Sequence, residues 1–410
     1  SEAERYIAFI SDVLALHAQS SDVIERLEIS LEMTDKCGQL LVPPSIRAAE
    51  RWIQYAVRQG VKSFDLELFL PEYHYVPNNK TRKHGGKEKL VTMVLDGLPR
   101  SANLKTMYLN LSNARVRFPA TVLFPSLVDL TLDSMEIAGD NGHLVGLLSS
   151  PRLQRLRMCD VVLPGRPGLL LDAATLVELS LEGIYKLRSL ELRTPNLRVL
   201  RIEWCYRIKA LTVLAPKLEE VVSLHNTSLI HLTGELPCVS SLNLDLSSHG
   251  YIDGRDGGNN SSIRLLKRCS SVRVLTVSLN VPGEKRCPID IIKDRVQQLP
   301  HVTSLEVEDV VRIGVAGTSA FLSDHTYGWS ANKISLGHLK EAKLMGLITE
   351  DSELTFLKYV LASATNLEKV VVSFDKFSPE SGRDEFRHML LGGGTWTPCR
   401  DSYESYEWRP

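Results

Sequence analysis

Residues 176–213 carry four copies of one pattern: Leu176-Val-Glu-Leu-Ser-Leu181, Leu187-Arg-Ser-Leu-Glu-Leu192, Leu197-Arg-Val-Leu-Arg-Ile202 and Ile208-Lys-Ala-Leu-Thr-Val213. Each has the form apolar-x-x-apolar-x-apolar. Less regular copies follow at Leu218 and Val221, at Leu229 and Leu232, and at Val239, Leu242 and Leu244. The middle apolar residues fall at 179, 190, 200, 211, 221, 232 and 242, so the steps alternate between 11 and 10 and every second step closes a period of 21. The last two apolar residues of each copy stand at i and i+2, which places them on one face of an extended strand. A step of 10 residues holds a strand and a turn but not a helix as well. The return side of this stretch is therefore expected to be strand.

A fixed period in the twenties with this spacing predicts an α/β fold of the leucine-rich-repeat solenoid kind. That is a horseshoe with a parallel sheet on its concave face and helices or short strands on its convex face. A chain of 410 residues is long for one compact domain but ordinary for an array that grows by adding units. Upstream of the ladder the middle positions are Met107, Leu130, Leu156 and Leu179, with steps of 23, 26 and 23. Phe124-Pro125, Ser150-Pro151, Thr194-Pro195, Ala215-Pro216 and Leu236-Pro237 stand just before strands. There proline restricts the preceding residue and is expected to start the extended run. Downstream the middles are Leu275, Leu305, Ala342 and Val370, and steps of 33, 30, 37 and 28 leave room for helices at 263–269, 288–298 and 352–364.

Near the start, residues 3–18 read as a helix with Tyr6, Phe9, Ile10, Val13, Leu14 and Leu16 as its apolar face. Residues 23–31 alternate as a strand. Pro43-Pro44 then halt the chain, Ser45 is placed to cap the next helix, and Gly60 to close it. Ile46, Ala49, Trp52, Ile53, Ala56 and Val57 form its buried stripe, and a strand over 61–68 follows. Residues 71–89 are a loop by composition. Their basic cluster (Lys80, Arg82, Lys83, Lys87, Lys89) fits a solvated insertion, with phosphate contact or a nuclear address as the sharper alternatives. The tail from Pro379 offers one helix candidate, 383–390, then a glycine run and a polar end expected to be loose.

Hydrophobic residues at 43% suffice for a continuous core, and a net charge of −1 gives no overall bias toward nucleic acid or an anionic membrane. The seven cysteines (37, 159, 205, 238, 269, 287, 399) are scattered, odd in number and without a Cys-x-x-Cys pair. A reduced protein of the cytoplasm and/or nucleus is the expectation. No apolar run reaches the roughly 18–20 residues a membrane span needs, so neither a membrane nor a nucleic acid is expected as a partner. No Gly-x-Ser-x-Gly elbow occurs, Gly392-Gly-Gly-Thr-Trp396 lacks the lysine of a phosphate loop, and the loop from Asp253 to Asp256 lacks the spaced carboxylates of a calcium site. The expectation is no catalytic residue, no cofactor and no metal.

Binding is the better expectation. Residues between the inward leucines should face the concave surface: Arg155, Arg157, Glu178, Ser180, Glu182, Arg201, Glu203, Ser241, Asn243, Asp245, Ser304, Glu306 and Glu308. Trp204 and Tyr206 stand at a strand exit, where large amphipathic side chains make good anchors. The candidate partner-binding set is Arg155, Arg157, Glu182, Arg201, Glu203, Trp204, Tyr206, Asn243 and Asp245. The same residues also fit a plain solvated face with a rim aromatic packed under a loop.

Three segments together resemble the plant F-box/leucine-rich-repeat family with a C-terminal FBD region. The first is the helix-strand from Ala49 through Arg51-Trp-Ile53 and Gly60-Val61 to Leu68. The second is the 21-residue ladder with starts such as Thr194-Pro-Asn-Leu-Arg-Val-Leu200. The third joins His338-Leu-Lys-Glu-Ala-Lys-Leu344, Glu353-Leu-Thr-Phe-Leu-Lys-Tyr-Val-Leu361 and Thr365-Asn-Leu-Glu-Lys-Val370. The resemblance implies a non-catalytic substrate receptor of a Skp-cullin-F-box ubiquitin ligase, whose repeats select a target protein. The F-box itself is missing from this chain, so a Skp-type adaptor is expected as a partner only if an F-box lies upstream. The alternative is a stand-alone scaffold or decoy that binds a protein without ubiquitin transfer. The organisation expected is N-terminal helix-strand repeats at 1–70, a basic loop at 71–89, leucine-rich repeats at 90–246 and a loop at 247–262. Irregular repeats with the FBD-like region at 263–375 and a tail at 376–410 complete it.

Overall fold

A computed structural model describes residues 2–20, 23–32, 42–69, 92–95, 100–118, 124–139, 144, 147–148, 150–163, 168–224, 231–234, 236–247, 259–282, 301–313, 336–347, 364–375, 378, 380, 383–384, 395–399 and 405–409. The chain is mixed α/β, with mostly parallel sheet and few helices, in two compact units, Ser1–Lys217 and Leu218–Pro410.

The first unit opens with α1 (Glu2–His17), β1 (Arg26–Glu32), α2 (Val42–Gln59) and β2 (Ser63–Phe69). It continues through β3 (Thr92–Val94), β4 (Thr106–Arg117), β5 (Asp129–Ile137), β6 (Arg155–Cys159) and β7 (Gly168–Asp172). Then come β8 (Glu178–Glu182), β9 (Ser189–Arg193), β10 (Val199–Glu203) and β11 (Ala210–Leu214). Strands β1, β2, β4, β5, β6, β8 and β10 lie side by side in that order, every pair parallel. The return segments β7, β9 and β11 form a second parallel sheet, as the short steps required.

The register follows the middle apolar residues. Met107 pairs with Leu130, Leu130 with Leu156, Leu156 with Leu179 and Leu179 with Leu200. In the return sheet Leu169, Leu190 and Leu211 are opposite one another. A one-residue slip would turn every leucine outward, so burial fixes this register. Leu179, Leu181 and Leu192 are fully buried while their strand neighbours stay part-exposed. Each such leucine stabilises the fold by at most about 1.5–3 kcal/mol relative to exposure.

The prolines act one step earlier than expected. Leu127 N–H donates to Phe124 O (3.1 Å), Leu153 to Ser150 (3.1 Å) and Leu197 to Thr194 (3.0 Å), each closing a four-residue turn. Pro125, Pro151 and Pro195 occupy the second turn position, where their locked φ is pre-set. The strand begins four residues after each proline, at Asp129, Arg155 and Val199. Phe124, Ser150 and Thr194, the residues before the prolines, are buried.

Two local expectations are corrected. The second helix starts at Val42, so Pro43 and Pro44 sit in its first turn, where a missing N–H costs nothing. Ser45 is buried within the helix and does not cap it. Gly60 does close the helix at φ 68°, with Val61 N–H on Ala56 O at 3.2 Å. The stripe from Ile46 to Val57 is buried as expected. In α1 the buried residues are Ile7 and Leu14, whereas Phe9, Val13 and Leu16 face outward at 61%, 43% and 68% exposure. The apolar side of the helix is one broad arc of about 180°, running from Leu16 round to Ile7, and only its Ile7–Leu14 edge is buried; His17 Nδ1 meets the Tyr55 hydroxyl of α2 at 2.7 Å.

The second unit holds β12 (Glu220–Leu224), β13 (His231–Thr233), β14 (Ser241–Ser247), α3 (Asn259–Arg268), β15 (Val274–Pro282) and β16 (Ser304–Ile313). After these come β17 (Glu341–Leu347), β18 (Lys369–Phe374), β19 (Thr395–Pro398) and β20 (Ser405–Arg409). Strands β12, β14, β15, β16, β17 and β18 are parallel neighbours in that order, with Val221, Leu242, Leu275, Leu305, Ala342 and Val370 in one register row. Helix α3 covers most of the expected 263–269 and begins earlier. The tail departs from expectation: β20 runs antiparallel beside β18, and β19 antiparallel beside β20. Residues 71–89, 288–298, 352–363 and 385–390, with the basic loop and the remaining helix expectations they carry, lie outside the described residues.

Candidate functional site

Parallel in-register strands place equivalent side chains in rows about 4.8 Å apart. On the non-core face of the first unit, one row runs Asp129, Arg155, Glu178, Val199. The next runs Asp65, Tyr108, Thr131, Arg157, Ser180, Arg201. The third runs Glu67, Asn110, Asp133, Cys159, Glu182, Glu203. Arg155, Arg157, Glu182, Arg201 and Glu203 therefore share one surface across three adjacent strands. Arg155 is tied to Asp129 at 2.5 Å, and Arg157 reaches Glu182 at 3.5 Å and the Cys159 sulfur at 3.2 Å. The two ion pairs run across strands while the Arg157–Cys159 contact lies within β6, so part of the guanidinium charge is already matched.

The third row is an acidic one, and four of the residues that directly follow it share a conformation. Ser134, Asp160, Gly183 and Trp204 directly follow β-row residues 133, 159, 182 and 203, and all four are left-handed, with φ of 52°, 49°, 60° and 57°. Gly183 is required there: a Cβ would sit 2.3 Å from the Asp160 Oδ1. Burial raises the Asp160 carboxyl above its usual range, and Asp133 and Glu182 add to the shift, while a hydrogen bond from Tyr185 opposes it. Glu203 is raised in the same way, first by burial and then by Glu182, against Arg201 and Arg157. Carboxylates crowded like this favour an added positive charge.

Trp204 and Tyr206 lie just beyond, 43% and 46% exposed, their rings edge-to-face at 6.0 Å. Tyr185 is also exposed, at 41%. Between the two aromatics, Cys205 turns inward: its thiol is pushed up to about 12 by burial, and it accepts from Ile184 N–H at 3.5 Å. It is a packing residue, and burial likewise raises Cys159.

Asn243 and Asp245 belong to the second unit. Asn243 stands between Val222 and Thr276, and Asp245 beside Ser278, with the Asp245 carbonyl accepting from Ser262 Oγ at 2.6 Å. The seven other candidates thus lie on the first unit, and these two lie on the second. In the second unit a shallow cleft is lined by Thr303, His338, Lys340, Asn366, Leu367 and Glu368. Four of its polar side chains are engaged with one another or with backbone: Lys340 with Glu368 at 2.9 Å, Asn366 with Gly337 O at 2.6 Å and Thr303 Oγ1 with Arg273 O at 3.3 Å.

Asp129, Asp133, Asp160 and Tyr185 were missed by sequence reasoning. Asp129 and Asp133 flank the middle Leu130 as Arg155 and Cys159 flank Leu156, so the rule that found Arg155 also finds them. Asp160 and Tyr185 carry no signal beyond their place after a strand. Among the described residues no three His, Cys, Asp or Glu are grouped to hold a metal ion, and no helix is long and apolar enough to cross a membrane. No family model matches the chain, and no curated protein is similar to it.

Proposed function

We propose that the chain is a leucine-rich-repeat solenoid that binds a target protein. In this reading it is the substrate-recognition part of a Skp-cullin-F-box ubiquitin ligase and is not itself catalytic. The observation that carries the binding role is the in-register polar face of β5, β6, β8 and β10, bordered by the exposed Trp204–Tyr206 pair. Aromatic anchors beside a rigid polar face are the composition of a protein-recognition surface. The ligase role rests on the three-segment resemblance, and docking on a Skp-type adaptor requires an F-box upstream of Ser1. The test is co-purification of the full reading frame with a recombinant Skp-type adaptor, together with partner abundance after removal of the gene. Adaptor binding and a rise in the partner support the role. A full product that binds its partner with neither adaptor binding nor any change in partner level is instead a scaffold or decoy, and the ligase role is then lost.

A further inference from the structure

The whole chain is close to neutral at −1, yet its charges are unevenly placed. Among the described residues, the open-face positions of β1, β2, β4, β5, β6, β8 and β10 hold ten carboxylates and six guanidinium groups. Arg26 already serves Glu28 and Asp65, Arg155 serves Asp129, and Arg157 serves Glu182. Even with every guanidinium matched to one carboxylate, four negative charges remain in excess on this face. Asp160 adds another at the rim, and the charged groups acting on it, Asp133 and Glu182, are both negative. At the β10 end stand the exposed rings of Trp204 and Tyr206, directly after Glu203.

We infer that the open sheet face of the first unit takes a basic protein segment, with an arginine or lysine of that segment seated against Trp204 and Tyr206. A cation over an aromatic ring with carboxylates close by is bound by the ring quadrupole and by the anions together. The rest of the segment crosses the acidic rows, where its positive side chains replace water around carboxylates that crowd one another. The same excess charge repels phosphate backbones, so the occupant is protein and not nucleic acid. This inference rests on the protein-binding reading above and deepens it by naming the partner's chemistry.

The test uses the full chain and three fluorescein-labelled octapeptides, (Gly-Arg)4, (Gly-Lys)4 and (Gly-Glu)4, followed by anisotropy at low salt. The expected result is saturable binding of the arginine peptide, weaker binding of the lysine peptide and none of the glutamate peptide. Raising salt about tenfold should weaken binding at least several-fold. The double variant Glu182→Gln/Glu203→Gln should weaken it by about tenfold or more. Trp204→Ala leaves net charge unchanged and should still cost about threefold, which separates an aromatic anchor from diffuse attraction. Glu341→Gln, on β17 of the second unit, should change nothing. The inference is overturned if the glutamate peptide binds as well as the basic ones, if no basic peptide binds, or if Glu341→Gln weakens binding as much as the first-unit variants. No adaptor is present in the assay. Failure of the ligase reading therefore leaves this result standing, and a basic-peptide failure beside a captured partner removes only the partner chemistry.

Discussion

Gly183 and Trp204 take the same left-handed turn under different constraints. At Gly183 the turn leaves no room for a side chain, because a Cβ would meet the Asp160 carboxylate. Gly346 shares the conformation at φ 73° but faces open space. Gly183→Ala should therefore cost more than Gly346→Ala, which loses only the backbone preference of about 1 kcal/mol. Denaturant midpoints of the two variants measure the difference, and equal losses would mean that Asp160 moves aside freely. Trp204 holds a bulky residue at φ 57° with its ring part-exposed, which is backbone strain kept at the surface proposed for binding. Glu203 shows the same tension in its ionisation. Its carboxyl is raised in the folded state, so the fold binds that proton more tightly than the unfolded chain does. Stability contributed by this group is thus present at low pH and lost as pH rises from the ordinary carboxylate range through the raised value. Glu203→Gln should melt above the parent near pH 7, by an amount under about 1 kcal/mol for so exposed a group, and match it near pH 4. A stability gain that is the same at both pH values would rule out ionisation as its source.

At the scale of elements, α1 separates what packs from what is merely apolar. Ile7 and Leu14 are buried and Phe9 is 61% exposed. Leu14→Ala should lose about 2–4 kcal/mol by leaving a cavity, whereas Phe9→Ser should stay within about 0.5 kcal/mol. Thermal melts of the two variants give the comparison, and a large loss from Phe9→Ser would place that ring in the core. This helix also marks where the sequence stops being legible. Its apolar residues spread over about half of the helix circumference, and periodicity alone does not say which edge of that arc finds a partner. The strands were legible because a parallel ladder forces its inward positions: the spacing of Leu130, Leu156, Leu179 and Leu200 becomes their pairing. For the same reason the spacing alone was enough to place five of the candidate residues on the open face. The left-handed residues after the third row were not legible, since of these four only Gly183 advertises the conformation. The hairpin of β19 and β20 was hidden as well. Its pairing with β18 is non-local, and its Trp396, Tyr406 and Trp408 are scattered through a polar stretch.

At the scale of the whole molecule, an open sheet must deal with its edges, and the hairpin bears on one of them. Strand β18 reads Lys369-Val-Val-Val-Ser-Phe374, short, β-branched and low in charge, which is the composition that recruits another strand. One side of it pairs with β17, and β20 covers the other through Val370 opposite Trp408 and Val372 opposite Tyr406. The Tyr406 ring meets Phe374 edge-to-face at 6.1 Å, and Lys369 pairs with Glu407 at 3.7 Å. The pairing is antiparallel where the strands before it pair parallel, so the hairpin covers β18 without adding another parallel strand. A chain shortened to residues 1–394 should expose the β18 edge and self-associate, visible as concentration-dependent growth in sedimentation velocity. Adding Val371→Lys, a charge on the newly opened edge strand, should return it to monomer if edge pairing is the cause. A shortened chain that stays monomeric over the same concentrations would mean that β18 needs no cover, and the hairpin would then be only an extension of the sheet.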